Sequence, residues 1–76
     1  MRTLLVEDDP MLGRAVVQAL DDAAYSVDWV QDGDRAAAAL ARHAYGLILL
    51  DLGLPQRDGL SLLRTMRSRG DATPVG

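Results

Sequence analysis

The chain has 76 residues, 49% of them hydrophobic, no cysteine, and a formal net charge of -3. That length allows one small domain, burying roughly 60% of the surface its unfolded chain exposes, and it leaves a thin stability margin. The composition argues against disorder, disulfide or thiolate chemistry and direct nucleic-acid binding. No apolar run approaches the ~20 residues of a membrane span, and Met1-Arg2-Thr3-Leu4 does not read as a signal peptide, so a cytoplasmic protein is expected.

Thr3-Leu4-Leu5-Val6 is short and apolar and is followed at once by Glu7, Asp8 and Asp9, which reads as a buried strand. Asp9-Pro10 is a helix start, with Asp as N-cap and Pro at the first helical position. Leu12, Ala15, Val16, Ala19, Leu20 and Ala23 then recur every three or four residues, predicting a helix over 10–22 with that stripe on a sheet. Arg14, Gln18 and Asp21 fall on its wet side.

Tyr25 to Val30 alternates large apolar with polar residues and predicts a second strand. Asp32-Gly33-Asp34 is a turn and cap, and Arg35 to Ala44, with four successive alanines, is a helix. Gly46 to Asp51 is a third strand, apolar on both faces and hence central and parallel. Residues 52–58 form a loop, with Asp58-Gly59 as the cap and entry of a third helix carrying Leu60, Leu62, Leu63 and Met66. Gly70 lies past that helix's C-cap, and Thr73-Pro74-Val75-Gly76 looks like the start of another strand. The arginines at 35–42 and 64–69 are spaced along helices, which marks solvated faces rather than a phosphate-binding patch. Trp29 and the tyrosines read as packing residues, and His43 as a surface residue late in a helix.

The order β-α-β-α-β-α predicts a parallel sheet with right-handed crossovers and helices on both faces. Sites in such sheets form at the carboxyl ends of the strands. Glu7 and Asp8 follow the first strand and Asp51 ends the third, so all three converge at one rim if those strands are neighbours. Two carboxylates ~4 Å apart repel by about 4 kcal/mol at an effective dielectric near 20. A hard divalent cation relieves that repulsion, and all-oxygen ligands suit Mg²⁺. Asp9 has the simpler role of a helix cap, and a strand-terminal Asp51 bonded only to its own loop is the plain alternative.

The stretch Leu4-Leu5-Val6-Glu7-Asp8-Asp9-Pro10, with Asp51 after Leu-Ile-Leu-Leu, Leu54-Pro55 and Asp58-Gly59, resembles the receiver domain of two-component response regulators. The wording of the first fifteen residues is most similar to the OmpR-like branch. The resemblance implies a flavodoxin-like (CheY-like) doubly wound sheet of order 2-1-3, lacking strands 4 and 5. Residues 1–76 would then be a truncated receiver without its output domain. It implies Asp51 as phosphoacceptor, Asp8 as direct Mg²⁺ ligand and Glu7 acting through a bound water. The backbone carbonyl of Gly53 would be a further ligand, and Pro55 would shape the loop. It also implies a sensor histidine kinase docking on helix 1 at Met11 and Arg14. Family receivers place a Thr or Ser at the end of strand 4 and a Lys at the end of strand 5. No lysine occurs here, so phosphorylation is expected to be slow or absent in this chain.

Two further expectations follow. A third strand with an unpaired edge and apolar faces would be a template for a homodimer or larger assembly, in which that strand or the 73–75 segment meets a second copy. The competing readings are a non-catalytic half-domain serving assembly, and an Asp-nucleophile phosphohydrolase. The second is disfavoured because Gly53 stands where a second Asp would be needed.

Overall fold

The computed structural model describes residues 1–50 and 56–76, without the side chains of 56–60. Three strands, β1 (Arg2–Val6), β2 (Ser26–Val30) and β3 (Leu47–Leu50), alternate with three helices, α1 (Pro10–Asp22), α2 (Gly33–Arg42) and α3 (Gln56–Ser68). The sheet is parallel, in the order β2-β1-β3. The alternation of strands and helices predicts such a parallel sheet, and the strand order is the one that the resemblance implies.

Leu4, Val6, Ile48 and Tyr45 form one buried cluster with Ala36 of α2 and Leu62 and Met66 of α3. Alternation along β1 turns Thr3 and Leu5 to the other face, where α1 packs on β2. Each helix begins and ends for a local reason. Asp9 caps α1, its Oδ1 accepting from the amides of Met11 at 2.9 Å and Leu12 at 3.4 Å. Asp32 caps α2, accepting from the Arg35 amide at 2.7 Å. Beyond α3, Gly70 takes φ +72°, and the amides of Gly70 and Asp71 return to the carbonyls of Arg67 and Met66.

Four expectations need correction. Of the expected α1 stripe, Val16 and Leu20 are half-buried and are joined by Gly13 and Val17, whereas Leu12, Ala15, Ala19 and Ala23 are exposed. Trp29 accounts for this, because its ring fills the place opposite Gly13 that a larger residue would need. Next, α2 starts and stops two residues early, at Gly33 and Arg42. His43 turns extended, and the chain dips so that Tyr45 is buried and its hydroxyl donates to Asp28 at 2.6 Å. Third, α3 begins at Gln56, so Asp58-Gly59 lies inside its first turn rather than forming its cap.

The fourth correction concerns the edge of β3. The amides of Ile48 and Leu50 donate to the carbonyls of Pro74 and Gly76 at 2.9 and 2.8 Å, and the Gly76 amide returns to Ile48 at 2.8 Å. The strand start read at Thr73-Pro74-Val75-Gly76 therefore lies parallel beside β3, bridged at Ile48 and Val75. These hydrogen bonds cover the bare β3 edge that assembly through that strand assumed, and they leave assembly through the 73–75 segment untouched.

Candidate functional site

The site is built at the carboxyl end of β1. The register pairs Val6 with Val30 on one side and with Leu50 on the other. Val6 and Leu50 are the residues immediately before Glu7 and Asp51. The acidic residues thus follow two hydrogen-bonded neighbours at the same level of the sheet, as the convergence argument requires.

Glu7 is only 3% exposed, an uncommon burial for a carboxylate. Its amide donates to the Val30 carbonyl at 3.0 Å, and its own carbonyl accepts from the Trp29 indole Nε1 at 3.0 Å. The Glu7 carboxylate accepts from the Asp9 amide at 3.2 Å. Asp8, by contrast, is exposed. Asp51, Gly53 and Pro55 lie outside the described residues, and among the described residues no three acidic or histidine side chains gather into a metal-binding group. The donors that are described fit a hard cation. They are carboxylate oxygens, one buried and one open to solvent, with no cysteine in the chain to offer a soft ligand.

The N-terminal turns of α1 flank this rim. Met11 is 82% exposed and Leu12 49%, and a shallow depression is lined by Met11, Arg14, Ala15 and Gln18. Met11 and Arg14, the two helix-1 residues singled out by the family resemblance, are both exposed here.

A second polar cluster lies toward the amino ends of the strands. Arg2 meets Asp28 through Nε at 3.0 Å and Nη2 at 2.9 Å, and its guanidinium lies 5.6 Å from the Tyr45 ring centroid. The Tyr45 hydroxyl donating to Asp28, with Arg2 alongside, holds the Asp28 carboxyl below the usual carboxylate range. Burial, and an acceptor that is itself anionic, push Tyr45 up to about 12. His43 meets the Tyr45 ring edge-on at 6.3 Å. This cluster fastens β2 to the α2–β3 connection, far from the rim. Sequence patterning did not find it, nor the Trp29–Glu7 bond, because both join residues distant along the chain. The available signals were one tryptophan in the sequence and a glycine inside an apolar helix stripe.

Comparison with known proteins agrees with this architecture. The family model described as the response regulator receiver domain matches residues 3–76. The response regulator protein PmrA of Pseudomonas aeruginosa is 45% identical over 75 residues, covering 99% of this chain and 34% of that protein. The transcriptional regulatory protein DltR of Streptococcus agalactiae serotype III is 43% identical, also over 99% of this chain and 34% of that protein. This chain therefore spans about a third of the length of these curated relatives. Among solved structures, the MaeR response regulator bound to beryllium trifluoride superimposes with a TM-score of 0.85 at 26% identity, covering 100% of this chain and 64% of that one. The chain belongs to the response regulator receiver family, with OmpR-family regulators among its relatives.

Proposed function

We propose that this chain is the phosphoryl-accepting module of a two-component response regulator, with Asp51 as acceptor. The observation that carries the reading is the pairing of Val6 with Leu50, which sets the chain leading into Glu7 and Asp8 beside the chain leading into Asp51. The MaeR structure supports it, since beryllium trifluoride has the charge and near-tetrahedral shape of a phosphoryl group.

In this reading an Asp51 carboxylate oxygen bonds to phosphorus as the P–N bond of a phosphohistidine breaks. The leaving imidazole keeps the bonding electron pair and takes a proton from solvent. Asp8 and Asp51 would hold Mg²⁺ directly with the Gly53 carbonyl, and Glu7 would hold it through water. The bound cation would supply positive charge to the rim and to the transferring oxygens. What the chain itself contributes is alignment. The buried Glu7, fixed at its amide and carbonyl, gives the rim a rigid floor, and solvent-open Asp8 gives it an accessible ligand. Pro55 would shape the loop that carries the acceptor.

Met11 and Arg14 at the head of α1 would face the sensor kinase, a role supported by the exposure of Met11. The setting would be the cytoplasm. The relay to transcription would lie in the longer protein, as the name of DltR suggests for that relative. No helix among the described residues is long and apolar enough to cross a membrane.

Acetyl phosphate with Mg²⁺, followed by intact mass, tests the assignment. One phosphoryl group should accumulate slowly, only with Mg²⁺, and not in Asp51→Asn. A label that forms without Mg²⁺, or persists in Asp51→Asn, contradicts the proposal. Efficient labelling would instead show that no lysine is needed for the chemistry.

A further inference from the structure

A chain of hydrogen bonds runs from β2 across the end of β1 into the first turn of α1. The Trp29 indole donates to the Glu7 carbonyl at 3.0 Å, the Glu7 carboxylate accepts from the Asp9 amide at 3.2 Å, and the Asp9 carboxylate accepts from the Met11 amide at 2.9 Å. The Gly13 amide closes the turn onto the Asp9 carbonyl at 2.8 Å. The same indole ring lies flush against Gly13. A Cβ built there would come 2.8 Å from Nε1 and closer still to Cε2 and Cζ2. One side chain on the outer strand thus fixes both the backbone of the rim and the seat of the helix that follows it.

We infer that Trp29 is a positioning residue for the acidic rim: its N–H and its ring hold Glu7 and Asp8 in a fixed pose before any cation binds. The Glu7 carbonyl lies past the end of β1, and the Trp29 N–H is its hydrogen-bond donor. Losing that donor removes one of the bonds that hold the Glu7 backbone and loosens the Glu7–Asp8 segment with it. Groups that orient first-shell ligands in this way commonly change metal affinity by about 10–100-fold. The inference rests on the proposed cation site for its affinity arm only.

The test compares the parent chain with Trp29→Phe, which keeps an aromatic ring but no donor. Tyr45→Phe serves as control, because it gives up a hydrogen bond to Asp28, which alternation along β2 places on the opposite face from Trp29. Backbone order parameters at Glu7, Asp8 and Asp9 are measured by ¹⁵N relaxation without metal, and Mg²⁺ affinity is measured by calorimetry. In Trp29→Phe the order parameters should fall at those three residues and Mg²⁺ should bind about tenfold more weakly. Tyr45→Phe should leave both unchanged. If Trp29→Phe does not fold, Gly13→Ala, which pushes the ring away and so breaks its bond to the Glu7 carbonyl, should reproduce both effects, and unchanged rim order there overturns the inference. Unchanged rim order in Trp29→Phe overturns the inference, and so does an equal loss of order in Tyr45→Phe. A parent that takes up no Mg²⁺ defeats the cation reading, while the order parameters still decide the role of Trp29.

Discussion

Gly13→Ala separates two physical effects of opposite sign. In an exposed helix interior the change stabilises by about 1 kcal/mol, because alanine has less backbone freedom to lose. Here the new methyl meets the Trp29 ring at under van der Waals distance from three of its atoms. The ring cannot slide away without breaking its 3.0 Å bond to the Glu7 carbonyl, and α1 cannot lift without exposing Val16, Val17 and Leu20. Overpacking of this kind costs about 1–3 kcal/mol, and the lost hydrogen bond about 1 kcal/mol more. The helix gain and the hydrogen-bond loss nearly cancel, so the steric cost survives as a net destabilisation of about 2 kcal/mol. For a domain of this size that lowers Tm by roughly 8–16 °C. Urea unfolding followed by the fluorescence of the single tryptophan measures it in both proteins. Placing Gly13→Ala in a Trp29→Leu background, followed by circular dichroism, should abolish the penalty. A Gly13→Ala chain as stable as the parent would refute the close packing of α1 on β2.

Three other outcomes follow from the structure. Among the described residues the fully buried Thr3 hydroxyl finds no hydrogen-bond partner, so Thr3→Val should raise stability by about 1 kcal/mol in urea unfolding; a loss would mean that the hydroxyl is satisfied in solution. Ala24 sits at φ 66° between α1 and β2, and Ala24→Gly should stabilise by about 0.5–1 kcal/mol, seen as a higher Tm. Tyr45 has its folded pKa raised from 10.0 to about 12, so its contribution is complete below pH 10 and is lost as pH rises toward 12. Asp28 has a lowered folded pKa, so its contribution is present above the ordinary carboxylate value and is lost as pH falls through the folded one. Stability measured against pH should therefore fall at both extremes, and Tyr45→Phe should flatten the alkaline limb. An unchanged alkaline limb in that variant would disprove the Tyr45–Asp28 link.

Much of the fold was legible because it is written in local terms. Asp9-Pro10 announces α1, Gly70 ends α3, and the apolar run at 47–50 is a strand, buried at Ile48 and half-buried at its other residues. What escaped was information carried by contacts between distant residues. Periodicity counts apolar side chains, so it placed the α1 stripe on Leu12, Ala15 and Ala19; the decisive position was Gly13, which has no side chain and matters because Trp29 needs the space. The early end of α2 depends on Tyr45 reaching Asp28 on another strand, seventeen residues away. The edge of β3 looked bare because the partner is only a few residues long, too short to read as a finished strand, yet those residues supply its hydrogen bonds. Of the expected rim, Glu7 and Asp8 follow β1 as composition suggested, while Asp51 lies outside the described residues. The device that holds Glu7 in place was not.

The central claim is that carboxylates from the ends of β1 and β3 share one cation, and a double-mutant cycle on Mg²⁺ affinity addresses it most directly. Asp8→Asn and Asp51→Asn should each weaken binding, and the double variant should be little weaker than either single one, because removing one ligand already dismantles the shared site. Mg²⁺ affinity that is untouched by Asp51→Asn, or losses that simply add, would show that the two carboxylates do not meet on one ion.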